Sequence, residues 1–184
     1  LWLVVLGLAA VVWVMLRQIG VLYERISPMG ALMDSAGPAV GEAAAPFRLP
    51  SLTGGEVAIG APGRAQLVFF LSPTCPVCKQ LLPVLASIRV DEAAWLDVVL
   101  ASDGDIEKHR AFIAKSKLAA FPYVLSTELG MTYRVQRLPF AVLSDQGGVV
   151  RAKGLVNNRE QLESLFNTLS AGAPALQQYL AARA

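Results

Sequence analysis

Hydrophobic and polar positions divide the chain into stretches of different rhythm. Residues 1–16 read LWLVVLGLAAVVWVML, apolar on every helical face. From Gln18 to Ala45 the rhythm decays. A short helical continuation, QIGVLYERI, gives way to SPMGALMDSAGPAVGEAAAP, a spacer rich in Gly, Pro and Ala. From Phe47 onward, strand and helix periods alternate. FRLPSLTGGEVAI predicts two short strands about the turn Thr53-Gly54-Gly55. Gln66–Ser72 is a continuous apolar run, as expected of a strand buried on both faces. Pro76–Val90 predicts a helix with Leu81, Leu82, Leu85 and Ile88 on one face. Leu96–Ala101 predicts a second buried strand. Asp105–Lys117 predicts a polar amphipathic helix with a leading acid and trailing lysines. A short strand at Pro122–Leu125 and a short helix at Thr127–Val135 follow. Phe140–Ser144 and Val149–Val156 predict strands joined by the hairpin turn Asp145-Gln146-Gly147-Gly148. Asn157 or Asn158 is placed to cap a final helix through Leu169, and APALQQYLAARA adds a loose helical tail.

The order is hairpin, β-α-β-α, hairpin and closing helix. It predicts an α/β fold with helices on both faces of a central sheet. The expected organisation is a transmembrane anchor at 1–22, a juxtamembrane spacer at 23–45, one domain at 46–170 and a tail at 171–184.

Composition sharpens the first segment. Of 184 residues, 54% are hydrophobic and 16% charged, against about 45–50% and about 25% in ordinary soluble domains. Sixteen apolar residues make a helix of about 24 Å, short of the roughly 30 Å hydrocarbon core. The sequence starts at Leu1 and not at Met, so the full span is expected to be longer. No Ala-x-Ala pattern follows Leu16-Arg17-Gln18. An uncleaved single-pass anchor is therefore favoured over a cleaved signal peptide or a buried core helix. Trp2 and Trp13 read as membrane residues, with Trp2 at the interface. Arg17 and Arg25 follow the apolar run, and the positive-inside rule alone would place that side in the cytoplasm. The net charge of +2 offers no electrostatic case for nucleic-acid binding.

The chemistry concentrates in Cys75-Pro76-Val77-Cys78, placed after a buried strand and at the start of a helix. The sequence holds 2 cysteines and 1 histidine. That excludes a multi-disulfide scaffold, a four-cysteine zinc site and a Cys₂His₂ finger. At a helix N-terminus, unpaired N–H groups and the dipole favour an anion, so Cys75 is expected to be a stabilised, nucleophilic thiolate. Pro76 lacks an N–H where none is needed. Cys78, one turn on, can close a short disulfide, and Lys79 adds charge nearby. Half of a shared zinc site and a purely structural disulfide are the rival readings. The first lacks a second ligand pair within the chain. The second would gain little from so small a loop. No metal and no cofactor is expected. His109, between Lys108 and Arg110, reads as a solvated surface residue without a role.

The segment LVFFLSPT followed by CPVCKQLLP resembles the active-site segment of thioredoxin-like proteins. Pro83 lies where that superfamily carries a helix-kinking proline. Leu138-Pro139 lies where it has its cis-proline loop, before the hairpin and terminal helix. The resemblance implies a thioredoxin-like fold in which Pro139 is cis and faces the disulfide. It also implies that the Leu138 backbone pairs with an extended substrate segment. A plain strand-initiating proline is the other reading of Pro139. Departures are visible too. Thr74 stands where many thioredoxins have Trp before the first cysteine, and Phe69 where many bury an acid. Val68 and Ser72 break the peroxiredoxin pattern Pro-x-x-x-Thr-x-x-Cys for Cys75, so peroxidase activity is not expected.

A narrower likeness extends over nearly the whole chain. RQIGVLYERISPMGALM, GPAVGEAAAPFRLPSLTG and FFLSPTCPVCKQLLPVL are similar to the MauD family of methylamine utilisation proteins, membrane-anchored and thioredoxin-like. That resemblance implies a bacterial inner-membrane protein whose periplasmic domain acts on the disulfide-rich small subunit of methylamine dehydrogenase. The tryptophan-derived quinone of that subunit is built into it and is not a cofactor of this chain. The expected activity is thiol–disulfide exchange or isomerisation. Cys75 would attack, Cys78 resolve, and Leu138 and Pro139 position the client strand. Val77 and Phe140 read equally as docking surface or as core. Two alternatives stand beside this. One is a thiol reductant for cytochrome c maturation, as in related TlpA/ResA-like proteins, which Thr74, Pro76 and Val77 do not match. The other is a non-catalytic, membrane-tethered chaperone on the same scaffold.

Overall fold

The computed structural model describes residues 37–170, together with Val5 and Trp13. Most of the expected anchor and spacer, Trp2, and the tail at 171–184 lie outside the described residues. Val5 and Trp13 are helical and exposed. Among the described residues, no helix is long and apolar enough to cross a membrane. The chain divides into two units, Leu1–Asp34 and Ser35–Ala184, and the second carries everything that follows.

Two strands, β1 (Phe47–Pro50) and β2 (Glu56–Ile59), form an antiparallel ribbon with Phe47 opposite Ile59. Five more strands make the main sheet. They are β3 (Ala65–Phe70), β4 (Leu96–Ser102), β5 (Tyr123–Leu125), β6 (Phe140–Ser144) and β7 (Val150–Leu155), in the spatial order β5-β4-β3-β6-β7. The pairs β3–β4 and β4–β5 are parallel, whereas β3–β6 and β6–β7 are antiparallel. The helices are α1 (Pro76–Asp91), α2 (Ile106–Lys115), α3 (Thr127–Thr132) and α4 (Arg159–Ser170). Asp105 caps α2 by accepting from the Lys108 N–H, and Asn158 accepts from the Gln161 N–H at the head of α4. Each element predicted between Phe47 and Leu169 is present, with ends moved by a residue or a few, as fraying ends do.

The central strands bury both faces, which is why their sequence runs apolar without alternation. Leu67, Phe69 and Leu71 point to one side, where Leu81 and Leu85 of α1, Phe112 of α2 and Leu162 of α4 complete a core. Val68 and Phe70 point to the other, against Leu129, Tyr133 and the ribbon residues Val57 and Ile59. Among the described residues, helices thus cover both faces, three on one side and the short α3 with the ribbon on the other.

Both ends of the sheet are tied to N-terminal chain. The ribbon turn docks on β5. Leu52 N–H donates to the Tyr123 carbonyl (2.8 Å), Tyr123 N–H donates to Ser51 Oγ (3.0 Å), and Thr53 Oγ1 donates to the Phe121 carbonyl (2.7 Å). Residues 41–44 pair with the start of β7, through Gly41 N–H to the Val150 carbonyl and Val150 N–H to the Glu42 carbonyl. The hairpin turn at Gly148 lies against Gly60. A Cβ on Gly148 would sit 2.6 Å from the Gly60 carbonyl oxygen, and its φ is +76°. Only glycine fits that approach.

Candidate redox site

Leu71 ends the run of β3 with both main-chain groups held. Its N–H donates to the Ala101 carbonyl (3.0 Å) and its carbonyl accepts from Ser102 Oγ (2.7 Å). The chain then leaves the sheet in a turn that bonds to itself. Thr74 N–H donates to Ser72 Oγ (3.3 Å), and Cys75 N–H to the Ser72 carbonyl (3.1 Å). Cys75 follows as the N-cap of α1. It adopts an extended conformation, and its sulfur accepts from the Cys78 N–H (3.2 Å). Pro76 opens the helix, where a missing N–H costs nothing. The helix then continues through Pro83, which is exposed.

Cys75 and Cys78 are joined by a disulfide, with their Cα atoms 5.3 Å apart. The two sulfurs are not equivalent. Cys78 is fully buried in the core, whereas Cys75 is partly open to solvent. Pro76 and Lys79 are exposed beside it, and Val77 is half-buried and packs against the core on the α1 side. An incoming sulfur therefore reaches Cys75 first, and the N-terminus of α1 stabilises the thiolate left there on reduction.

The Leu138–Pro139 peptide is cis. Pro139 is buried and its carbonyl accepts from the Val156 N–H (3.1 Å). Leu138 is 39% exposed, and its N–H and carbonyl have no hydrogen-bond partner among the described residues. Sheet register brings this loop to the site. Phe70, at the end of β3, lies opposite Phe140, at the start of β6. The loop carrying Cys75 and the loop ending in Pro139 therefore emerge at the same end of the sheet. Phe140 itself packs against the core on the α3 side.

The structure corrects the reading of His109. It is not solvated: it is 3% exposed and faces inward with Phe112 and Ile113. Nδ1 lies 2.7 Å from the Tyr123 hydroxyl and Nε2 lies 2.9 Å from the Asp103 carbonyl oxygen. Burial pushes the Tyr123 phenol well above its usual range, with the Ser102 hydroxyl partly opposing. The spacing could have shown this, because His109 shares a helical face with residues three and four positions on. Among the described residues no group of His, Cys, Asp and Glu side chains is arranged to hold a metal ion.

Comparison with known proteins places this geometry. The AhpC/TSA family profile matches residues 40–173. The methylamine utilization protein MauD of Paracoccus denitrificans is 46% identical over 186 residues, covering 100% of this chain and 92% of that one. Its counterpart from Methylorubrum extorquens is 45% identical, covering 100% and 90%. The chain belongs to the MauD family. Among solved structures, a putative thiol:disulfide interchange protein DsbE from Chlorobium tepidum superposes with a TM-score of 0.66 at 22% identity. It covers 73% of this chain and 98% of that one. StoA from Bacillus subtilis superposes with a TM-score of 0.59 at 24% identity, covering 70% and 99%. The MauD-family chain thus has a thioredoxin-like α/β fold with a mixed sheet and a CxxC disulfide.

Proposed function

We propose that this chain is a membrane-anchored thiol–disulfide oxidoreductase or isomerase whose domain faces the periplasm. The observation that carries the reading is the asymmetric pair at the head of α1, with Cys75 reachable and Cys78 buried beneath it. In the reduced protein, the Cys75 thiolate attacks one sulfur of a client disulfide. The client S–S bond breaks, a Cys75–client bond forms, and the expelled client thiolate takes a proton. Cys78 then attacks Cys75, the mixed disulfide breaks, and the second client thiol leaves. The client is reduced and the pair oxidised. The reverse sequence oxidises a client dithiol, and return of the first intermediate to a different client cysteine isomerises.

Leu138 offers its open main-chain groups to an extended client segment, and Pro139 shapes the loop beside it. Pro76 and Val77 form the rim around Cys75. The names of the relatives support methylamine utilisation as the setting, and within it we take the small subunit of methylamine dehydrogenase as the client. A periplasmic location suits stable disulfide chemistry. The apolar run at 1–16 supplies the anchor.

Trapping tests this reading. Cys78→Ala leaves Cys75 without its resolving partner. A mixed disulfide with the dehydrogenase small subunit should accumulate in cells making both proteins, and should vanish in the Cys75→Ser/Cys78→Ala double variant. If no periplasmic protein is trapped, exchange chemistry is excluded. If other proteins are trapped but never the small subunit, the chemistry stands and the client is wrong.

A further inference from the structure

The loop between α3 and β6 carries two arginines without a partner in the fold. Five other described arginines each pair with a carboxylate, and Arg89 lies over the Phe121 ring. Among the described residues, Arg134 and Arg137 make neither kind of contact, and both are exposed. Glu128, in the first turn of α3, is the carboxylate nearest in sequence, and it pairs with neither.

Arg134 is also held where an arginine is disfavoured. Its φ is +49°. Arg134 N–H donates to the Met131 carbonyl (3.0 Å), and Val135 N–H to the Gly130 carbonyl (2.9 Å). These two bonds close α3 in the motif whose left-handed residue is usually glycine, since a Cβ there crowds the following carbonyl. A cation gains something from the end of a helix, but α3 is only 6 residues long, so its dipole is small. The turn itself asks for glycine. The guanidinium it carries instead is available to a partner outside the turn.

Position indicates that partner. Arg137 immediately precedes Leu138, whose main-chain groups are open, in the loop that reaches the Cys75 end of the sheet. Lys79 follows Cys78 at the head of α1, a further exposed cation without an ion pair, in a first turn that holds no acid. Leu155 is 42% exposed and lies opposite Phe140 at the same end. Arginine beside large apolar side chains is characteristic of protein interfaces.

We propose that Arg134 and Arg137 recognise an acidic side chain in the extended client segment that pairs at Leu138, so that clients are chosen by carboxylates close to the reacting cysteine. The proposal rests on the thiol–disulfide reading above and names the substrate class of that site. A guanidinium takes a carboxylate through two parallel N–H···O bonds, which fix direction as well as contact. Because both arginines are exposed, their effect is on selection and approach more than on tight binding.

The test uses the full chain in nonionic detergent. Reduced protein is mixed with glutathione disulfide, which is anionic, with hydroxyethyl disulfide, which is neutral, or with cystamine, which is cationic. Each variant is compared with wild type on the same disulfide, so differences between leaving groups cancel. Arg137→Gln and Arg134→Gly should each lower the ratio of the anionic to the cationic rate by about two- to fivefold, as loss of one exposed ion pair allows. The preference should fade as salt rises from about 0.01 M to about 1 M. Arg134→Gly should also unfold at no lower urea than wild type, because the turn receives its preferred residue. Variants that scale all three rates by one factor would report a change in the Cys75 thiolate, and that overturns the inference. So does an Arg134→Gly that is less stable with its preference intact. A second measurement needs no exchange. In the oxidised protein, the Leu138 amide resonance should move on titration with an extended aspartate peptide carrying serine in place of cysteine, and not with its lysine counterpart. A resonance that moves with phosphatidylglycerol bicelles but not with the aspartate peptide would assign the arginines to lipid and overturn the inference. A wild type that exchanges with none of the disulfides, yet still takes the aspartate peptide at Leu138, would defeat the redox reading alone.

Discussion

Phe70 and Phe140 face each other across the β3–β6 pair, with ring centroids 6.4 Å apart and planes inclined at 57°. One ring closes the strand that leads to Cys75; the other opens the strand that leaves Pro139. The pair joins the two loops of the candidate site through the core below them.

Phe140→Ala should therefore act twice. Removing a half-buried ring should cost about 2–3 kcal/mol, read from urea unfolding of the domain. Exchange with glutathione disulfide should slow as well, because the Pro139 loop loses its floor. Unchanged kinetics alongside lowered stability would show that the ring supports the fold alone.

Leu138 gives the opposite pattern. Its side chain is 39% exposed, so Leu138→Ala should alter stability by no more than about 0.5 kcal/mol. Capture of an extended cysteine peptide should weaken, seen as a raised KM with kcat little changed. Reaction with small disulfides should be unaffected.

One hydroxyl links the ribbon turn to the backbone of β5 and braces the turn itself. Ser51 Oγ accepts from the Tyr123 and Thr53 N–H groups and contacts Thr53 Oγ1 at 2.8 Å. Ser51→Ala leaves the N–H of a fully buried tyrosine unpaired, at a cost of about 1–3 kcal/mol. Amide hydrogen exchange at Tyr123 should speed up locally before global unfolding does.

Asp145 sets an acid-side limit. Burial raises its pKa, but the Val149 and Gly147 N–H groups and Arg151 outweigh burial and hold the carboxyl below its ordinary value. A folded pKa below the unfolded one contributes stability that is full above the ordinary carboxylate range. That stability is lost as pH falls through the lowered value. Wild type should thus unfold at higher urea than Asp145→Asn at neutral pH, and the gap should close in acid. A gap that persists below about pH 2 would contradict this origin.

Much of this was readable from residue order. The two-faced burial of β3 and β4 shows in unbroken apolar runs, and the redox pair shows as two cysteines flanking a helix start. The pairing of residues 41–44 with β7 does not show. Gly, Glu and Ala there carry no strand signal, and that pairing depends on main-chain groups offered by a distant turn. His109 was obscured by its neighbours. Glu107, Lys108 and Arg110 make the helix read as polar, yet one residue among them turns inward to meet a phenol contributed by β5.

The N-terminal chain has one more effect. By folding Ser51–Thr53 over β5 and 41–44 along the start of β7, it occupies the flanks where a stray strand would add to the sheet. Farther along β7, Arg151 and Lys153 put charge on the remaining border. On the proposed function, a protein that handles incompletely folded, strand-prone chains would risk being polymerised by them. Here the lateral borders are guarded and the open main chain at Leu138 lies at the same end of the sheet as the Cys75 loop, so a client pairing at Leu138 would pair near the site of exchange.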